Sequence, residues 1–275
     1  MRALSRLAKD RPVFTFFLLA YVLAWLAWLP LVISRSGLGL LPFDLPLWTT
    51  LPGSYAPLIA ALVVERLSLG DFRIGKLVSN PLRAFVSALA GGLLIGLGFV
   101  ILPGLWLSGG TAQSFEWAAL AAYPYGTLRA ALMAGPIGEE PGWRGFVLPR
   151  LQDMYGPVRA VTLLGALWAL WHTPLFLVPS WNGTSPWVYF LLVGGFGFVM
   201  ALCFNLSRCS VLVAILLHAV FNASSGILGS FLAHTAITSD VRPDVILASS
   251  FALIAIIIVV LTRGRLGLAP PKAEK

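Results

Sequence analysis

The chain places a few polar side chains between long apolar runs, and their types could do chemistry. Two adjacent carboxylates, Glu139 and Glu140, lie in a sequence of 275 residues of which only 11% are charged. An ionisable side chain at membrane depth marks a functional site by default. Arg144 lies four residues after Glu140, so one helix face carries both and the arginine can pair this glutamate. Glu139 then lies about 100° round the helix and is left available for a reaction.

Two more polar clusters lie in the apolar runs that follow the glutamates. His172 ends the sequence Trp168-x-x-x-His172, and His218 precedes Asn222 by four residues. The second spacing puts an imidazole and an amide on one helix face, where both can point at one ligand. A carboxylate in an apolar cavity is suited to general-base catalysis, and an imidazole with an amide can stabilise an oxyanion.

The composition indicates that these clusters lie in a membrane protein. Hydrophobic residues make up 58% of the chain, and the mean hydropathy is +0.87, far from the balance of a soluble domain. The first apolar run, residues 13–33, has the length of a span and no small-residue cleavage site after it, so we interpret it as a span and not as a signal peptide. The net charge of +8 is expected from basic residues that flank spans, and no nucleic-acid partner is expected.

The apolar runs predict an all-helical membrane protein with eight transmembrane helices. The second run contains Pro52 and Pro57, which predict a broken or tilted span. The run that contains the glutamates is too long for one span, so we expect an outer interfacial helix near residues 114–122 and a span from about residue 125. The predicted spans are 12–34, 51–64, 84–107, 125–150, 157–178, 187–206, 210–232 and 245–262.

The basic residues predict which side of the membrane each end of the chain occupies. With both termini in the cytoplasm, only Arg35, Arg129 and Arg242 of the nineteen basic residues fall away from the cytoplasmic side, as the positive-inside rule favours. We therefore expect a multi-pass protein of the cell membrane with a polar cavity in the cytoplasmic half. Residues 1–275 are expected to form one polytopic domain, with a motif-bearing core at about 124–232 and a short disordered tail at 269–275.

The three polar clusters together resemble the motifs of a known family. Glu139-Glu140-x-x-x-Arg144, an aromatic residue four before His172, and His218-x-x-x-Asn222 are similar to the motifs of the type II CAAX prenyl endopeptidases and their bacterial relatives, the CPBP intramembrane glutamic proteases. The resemblance covers about residues 138–222. Trp168 stands where the family often has Phe. Pro141, within the first motif, is expected to kink the helix at a cost of about 3 kcal/mol.

The resemblance implies a role for each matched residue. Glu139 would act as the general base on a water, and His172 would position or polarise that water. His218 and Asn222 would stabilise the oxyanion of the tetrahedral intermediate. Glu140 and Arg144 would support the site, and neither a metal nor another cofactor is expected. The partners implied are the lipid bilayer and a peptide or membrane-associated protein substrate, with lipidation of the substrate and the oligomeric state left open.

Other interpretations of the same residues stay open at this point. The clusters could be structural hydrogen bonds between helices, or Glu139, His172 and His218 could be three ligands of a catalytic zinc ion. A protein of this fold could also bind without cleaving, as a bacteriocin self-immunity factor or a scaffold. A small-solute transporter is a further alternative, although the paired internal repeats typical of transporters are not visible in the sequence.

Overall fold

The regular elements of the chain are helices, as predicted. The structure is a computed structural model, and it describes residues 2–69, 78, 80–107, 117–233 and 241–269; no strand occurs among them. Of the predicted tail at 269–275, only Ala269 lies within the described residues. The helices are α1 (Arg2–Asp10), α2 (Pro12–Ile33), α3 (Leu51–Ser54), α4 (Ala56–Leu69), α5 (Pro81–Gly96), α6 (Leu102–Leu107), α7 (Trp117–Met133), α8 (Pro136–Glu140), α9 (Leu148–Tyr155), α10 (Pro157–Trp171), α11 (Pro186–Leu206), α12 (Val211–Ala233) and α13 (Pro243–Leu261).

Proline fixes where many of the long helices begin. Pro12, Pro81, Pro157, Pro186 and Pro243 each occupy the first turn of a helix. Proline is suited to this position because its fixed φ matches the helix and its missing N–H has no helical partner there anyway. The predicted boundaries at these prolines therefore agree with the structure to within a few residues.

The chain is a multi-pass membrane protein by the length and composition of its helices. Six helical segments of the described chain are long and apolar enough to cross a membrane, and a shorter apolar helix covers Val211–Gly226. These seven correspond to seven of the eight predicted spans. The predicted break in the second span is present, because α3 and α4 are separate helices.

The predicted fourth span is wrong in its organisation. Residues 125–150 do not form one helix that follows a separate interfacial helix, because α7 runs without a break through Pro124 as far as Met133. The chain then turns at Gly135, whose φ of 96° lies in the left-handed region, and α8 begins at Pro136. Glycine adopts this conformation without the steric cost that other residues incur. The predicted interfacial residues 114–116 lie outside the described residues.

Aromatic side chains fill the core around the segment that carries the glutamates. Trp143 and Phe146 are fully buried and contact Phe16 of α2, with ring centroids 5.3 and 5.2 Å apart. Trp171 of α10 lies edge-on to Trp143 at 5.6 Å. Buried aromatic side chains contribute the largest apolar areas to a core. The glutamate segment therefore packs against both α2 and α10.

Candidate active site

Glycines allow the glutamate segment to pack directly on the backbone of α3 and α4. A Cβ atom at Gly138 would lie 2.5 Å from the carbonyl oxygen of Ser54, and one at Gly142 would lie 2.5 Å from that of Pro57. Real Cβ atoms do not come this close, so only glycine fits at either position. A Cβ at Gly135 would also collide with Oε1 of Glu139. The glycines before and after the glutamates are thus part of what positions them.

Pro141, which was expected to kink the helix, lies at the start of a wider helical segment. From Pro141 to Val147 the helix widens into π-helical turns, and the chain continues from there into α9. Proline has no N–H and cannot complete the normal bonding pattern of an α-helix. Wider turns inside helices are frequent at functional sites, and here they start directly after Glu139 and Glu140.

Glu139 is buried, and one of its two carboxylate oxygens is held by a tryptophan. Glu139 is 3% exposed, and the indole Nε1–H of Trp168 donates a hydrogen bond of 2.9 Å to its Oε2. The sequence analysis treated Trp168 only as the aromatic member of the histidine motif. A phenylalanine at this position could not donate this hydrogen bond. The indole therefore fixes the orientation of the carboxylate.

Glu140 connects the arginine and a distant histidine. The predicted pair with Arg144 is present, with 2.9 Å between Nη1 and Oε1, and both side chains are almost fully buried. The same oxygen accepts a hydrogen bond of 2.7 Å from Nδ1 of His218, which the sequence analysis did not predict. Because Nδ1 is the donor in this bond, Nε2 is the nitrogen of His218 that remains for other partners. The Arg144 guanidinium also stacks on Trp168, 4.2 Å from the ring centroid.

His172 is fixed by a backbone hydrogen bond and by two aromatic rings. Its Nδ1 lies 2.9 Å from the carbonyl oxygen of Trp168. A carbonyl oxygen only accepts, so Nδ1 carries the hydrogen and Nε2 of the neutral ring has a free lone pair. Trp28 and Trp181 lie nearly parallel to the imidazole at centroid distances of 6.2 and 5.5 Å. Neither tryptophan was predicted at the site, because Trp28 belongs to α2 and Trp181 lies in the connection after α10, so helical spacing relates neither of them to His172.

All four predicted catalytic residues line one cavity of about 850 Å³. This volume is typical of sites that bind small molecules or short peptide segments. Asn222 reaches the cavity from α12, and its amide nitrogen lies 3.4 Å from the carbonyl oxygen of Ala134, too long for a strong hydrogen bond. Its amide hydrogens are therefore available to a ligand. The residues that line the cavity include Trp28, Trp48, Arg129, Ala134, Glu139, Trp168, His172, Trp181, Tyr189, His218, Asn222 and Ser225.

The site contains side chains of types that can bind metal ions. Within the described ranges, no three side chains of the types His, Cys, Asp and Glu are grouped so that they could hold one metal ion. Nδ1 of His218 is hydrogen-bonded to Glu140, and Nδ1 of His172 is hydrogen-bonded to the backbone carbonyl of Trp168. A direct measurement of metal content distinguishes a zinc site from a site that works without metal.

The cavity lies at the end of the helix bundle away from the N terminus. α2 and α10 run in the same direction, because Tyr21 bonds the carbonyl of Leu167 and Trp25 bonds that of Trp171. The connection after α2 contributes Trp48 to the cavity, and the connection after α10 contributes Trp181. If the N terminus is cytoplasmic, the end of the bundle that holds the cavity lies at the opposite face of the membrane. The predicted cytoplasmic termini and the predicted cavity in the cytoplasmic half therefore cannot both hold.

Thiol labelling of two single cysteines decides between these two predictions. Asn182 borders the cavity, whereas Met154 is exposed at the end of α9, near the start of α10. With cytoplasmic termini, a cysteine at Asn182 is expected to react with an impermeant thiol reagent from outside, and one at Met154 only after the cytoplasmic side is opened. The reverse pattern would put the cavity on the cytoplasmic side and both termini outside. Both variants are made in a chain without Cys203 and Cys209.

Comparison with known proteins finds a matching family model and a similar protein. The family model described as "Type II CAAX prenyl endopeptidase Rce1-like" matches residues 116–224. The chain is also similar to the protein named CAAX prenyl protease 2 of Methanococcus maripaludis, with 25% identity over an alignment that covers 82% of this chain and 86% of the relative. The matched range contains all three polar clusters, from Glu139 to Asn222. The predicted family resemblance is confirmed. The likeness of the chain to type II CAAX prenyl endopeptidases supports the activity of a membrane peptidase.

Proposed function

We propose that this chain is an intramembrane endopeptidase in which Glu139 activates a water for attack on a peptide bond. The observation that carries the proposal is the single cavity onto which Glu139, His172, His218 and Asn222 all open. The substrate class we propose is a peptide or membrane-associated protein segment, including C-terminal CAAX-like sequences. The protein is placed in the cell membrane, with residues 1–275 as one polytopic domain.

The first step is the removal of a proton from water by Glu139. Trp168 occupies Oε2 of the carboxylate, which leaves Oε1 for the water. His172 offers the lone pair of Nε2 as a second acceptor, and two acceptors orient a water better than one. As the proton moves to Glu139, the water oxygen forms a bond to the peptide carbonyl carbon and the carbonyl oxygen becomes an oxyanion.

His218 and Asn222 are placed to stabilise the negative charge of this intermediate. In this role His218 is an imidazolium, with Nδ1–H bonded to Glu140 and Nε2–H donated to the oxyanion. Glu140, Arg144 and His218 then carry a combined charge of +1, which complements the charge that develops on the substrate. The Asn222 amide donates a second hydrogen bond. Each such donor is worth about 10²–10³ in turnover in other enzymes.

The reaction ends when the peptide C–N bond breaks. The proton held by Glu139 moves to the leaving nitrogen, so that a free amine departs and the acyl part leaves as a carboxylic acid. One water is consumed, and the carboxylate of Glu139 is restored. No step requires an oxidant, a reductant or a covalent enzyme intermediate.

Product analysis on purified, reconstituted protein tests this function. Peptides with a C-terminal CAAX-like sequence, one prenylated and one not, are incubated with the protein and the products are weighed by mass spectrometry. We expect two fragments whose masses sum to that of the substrate plus one water. Peptide binding with no such fragments from either peptide would instead support the non-proteolytic alternative, in which the cavity only binds.

A further inference from the structure

A second cavity, of about 470 Å³, extends from the active site between α7 and α12. It shares with the first cavity Arg129, Met133, Ala134, Asn222 and Ser225, so the two are adjacent spaces with a common boundary. The remaining wall of the second cavity is made mostly of alanine and glycine. Small side chains on two facing helices leave room for an extended chain that continues from the catalytic residues.

Arg129 is the charged side chain at the boundary of the two cavities. In the part of the chain that the structure describes, its guanidinium has no hydrogen bond or ion pair. Arg144 and Arg150, in contrast, pair with Glu140 and Glu65. A guanidinium presents parallel N–H groups that match the two oxygens of a carboxylate. Its position therefore fits an anionic group that comes with the ligand.

The position of Arg129 on α7 sets a length for such a ligand. Ala134, whose carbonyl contacts the Asn222 amide, lies five residues after Arg129, which is about 7 Å along a helix. An extended peptide covers this distance in about two to three residues at about 3.3 Å each. A peptide whose scissile carbonyl lies at Asn222 would thus bring the end of a segment of two or three residues to Arg129.

We infer that Arg129 binds the free C-terminal carboxylate of the substrate, two or three residues beyond the scissile bond. The inference rests on the proposed function, since it takes the cavity with Glu139 as the place of cleavage. CAAX sequences end at the C terminus of their protein, so the short segment beyond the cleaved bond carries a free carboxylate. The second cavity holds this segment, and Arg129 selects for a terminal carboxylate over an internal sequence or an amide.

Peptide binding to a protein that cannot turn over tests the inference without the need for activity. In the Glu139→Gln background, a fluorescent CAAX-like peptide is titrated in two forms, one with a C-terminal carboxylate and one with a C-terminal amide. We expect the carboxylate form to bind at least about tenfold more tightly than the amide form. Adding Arg129→Gln should remove this difference by weakening only the carboxylate form, and Arg129→Lys should restore part of it. Arg159→Gln, which changes an exposed arginine outside both cavities, should leave both affinities unchanged.

Three outcomes would overturn the assignment of Arg129. Equal binding of both peptides to the Glu139→Gln protein would show that the protein does not recognise a terminal carboxylate. Equal weakening of both forms by Arg129→Gln would mean that the arginine acts on folding or on a lipid phosphate, not on the peptide end. Loss of the preference in Arg159→Gln as well would make it a general effect of surface charge. Failure of the proposed peptidase activity is detected separately, by the absence of cleaved products from wild-type protein.

Discussion

Replacing Glu139 by Gln is expected to lower peptide turnover by about 10²–10⁴, the contribution of a positioned general base. The amide has nearly the shape of the carboxylate and can still accept the hydrogen bond from Trp168, but it cannot take a proton from water. The measurement is the rate of peptide cleavage per folded protein, together with the thermal unfolding midpoint. That midpoint is expected to stay within a few degrees of the wild-type value.

A matched control comes from another buried glutamate of the chain. Glu65 is also fully buried, but it lies toward the end of the bundle away from the cavity and pairs with Arg150 at 3.7 Å. Glu65→Gln should leave the cleavage rate per folded protein close to that of the wild type. Equal activity in Glu139→Gln and wild type, with both folded, would remove Glu139 from the mechanism.

Replacing Arg144 by Ala is expected to destabilise the folded protein by about 3–5 kcal/mol. Glu140 is fully buried, so removal of its arginine leaves a carboxylate whose charge is only partly compensated by His218. The change also removes the guanidinium that covers the ring of Trp168. The free energy of unfolding is measured by denaturant titration in a mild detergent.

An exposed ion pair is the control for this second prediction. Arg35 and Asp44 lie 3.3 Å apart, with side chains 62% and 61% exposed, and Arg35→Ala should cost at most about 1 kcal/mol. A double replacement of Glu140 and Arg144 by Leu should recover much of the lost stability, because neither of these two charges then remains buried without the other. It should not recover activity, since His218 would have lost the partner that orients it. A small effect of Arg144→Ala alone would contradict the buried pair.

Local spacing predicted the parts of the site that depend on a single helix. The Glu140–Arg144 pair follows from a spacing of four residues, which any helix brings to one face. The bond between His218 and Glu140 joins residues 78 positions apart, and it could not be derived from spacing because it depends on how α12 packs against α8. Trp28 and Trp181, which flank His172 from α2 and from the connection after α10, could not be derived from helical spacing either, because neither lies on the helix that ends at His172.

The sequence contains a local signal for the break that the predicted fourth span lacks. Gly135 followed by Pro136 combines a residue that ends helices with one that begins them, and the structure has its break there. The prediction instead followed from the length of the apolar run, and it placed a boundary near residue 125, which lies inside α7.

Turnover by metal-free protein tests the central claim most directly, that the Glu139 carboxylate and not a bound metal activates the water. Purified wild-type and Glu139→Gln proteins are treated with a strong chelator, analysed for bound metal, and assayed side by side on the same cleavable peptide. We predict full activity of metal-free wild-type protein and activity lower by about 10²–10⁴ in the variant. Activity that disappears on chelation and returns with stoichiometric zinc would contradict this mechanism and make Glu139, His172 and His218 metal ligands.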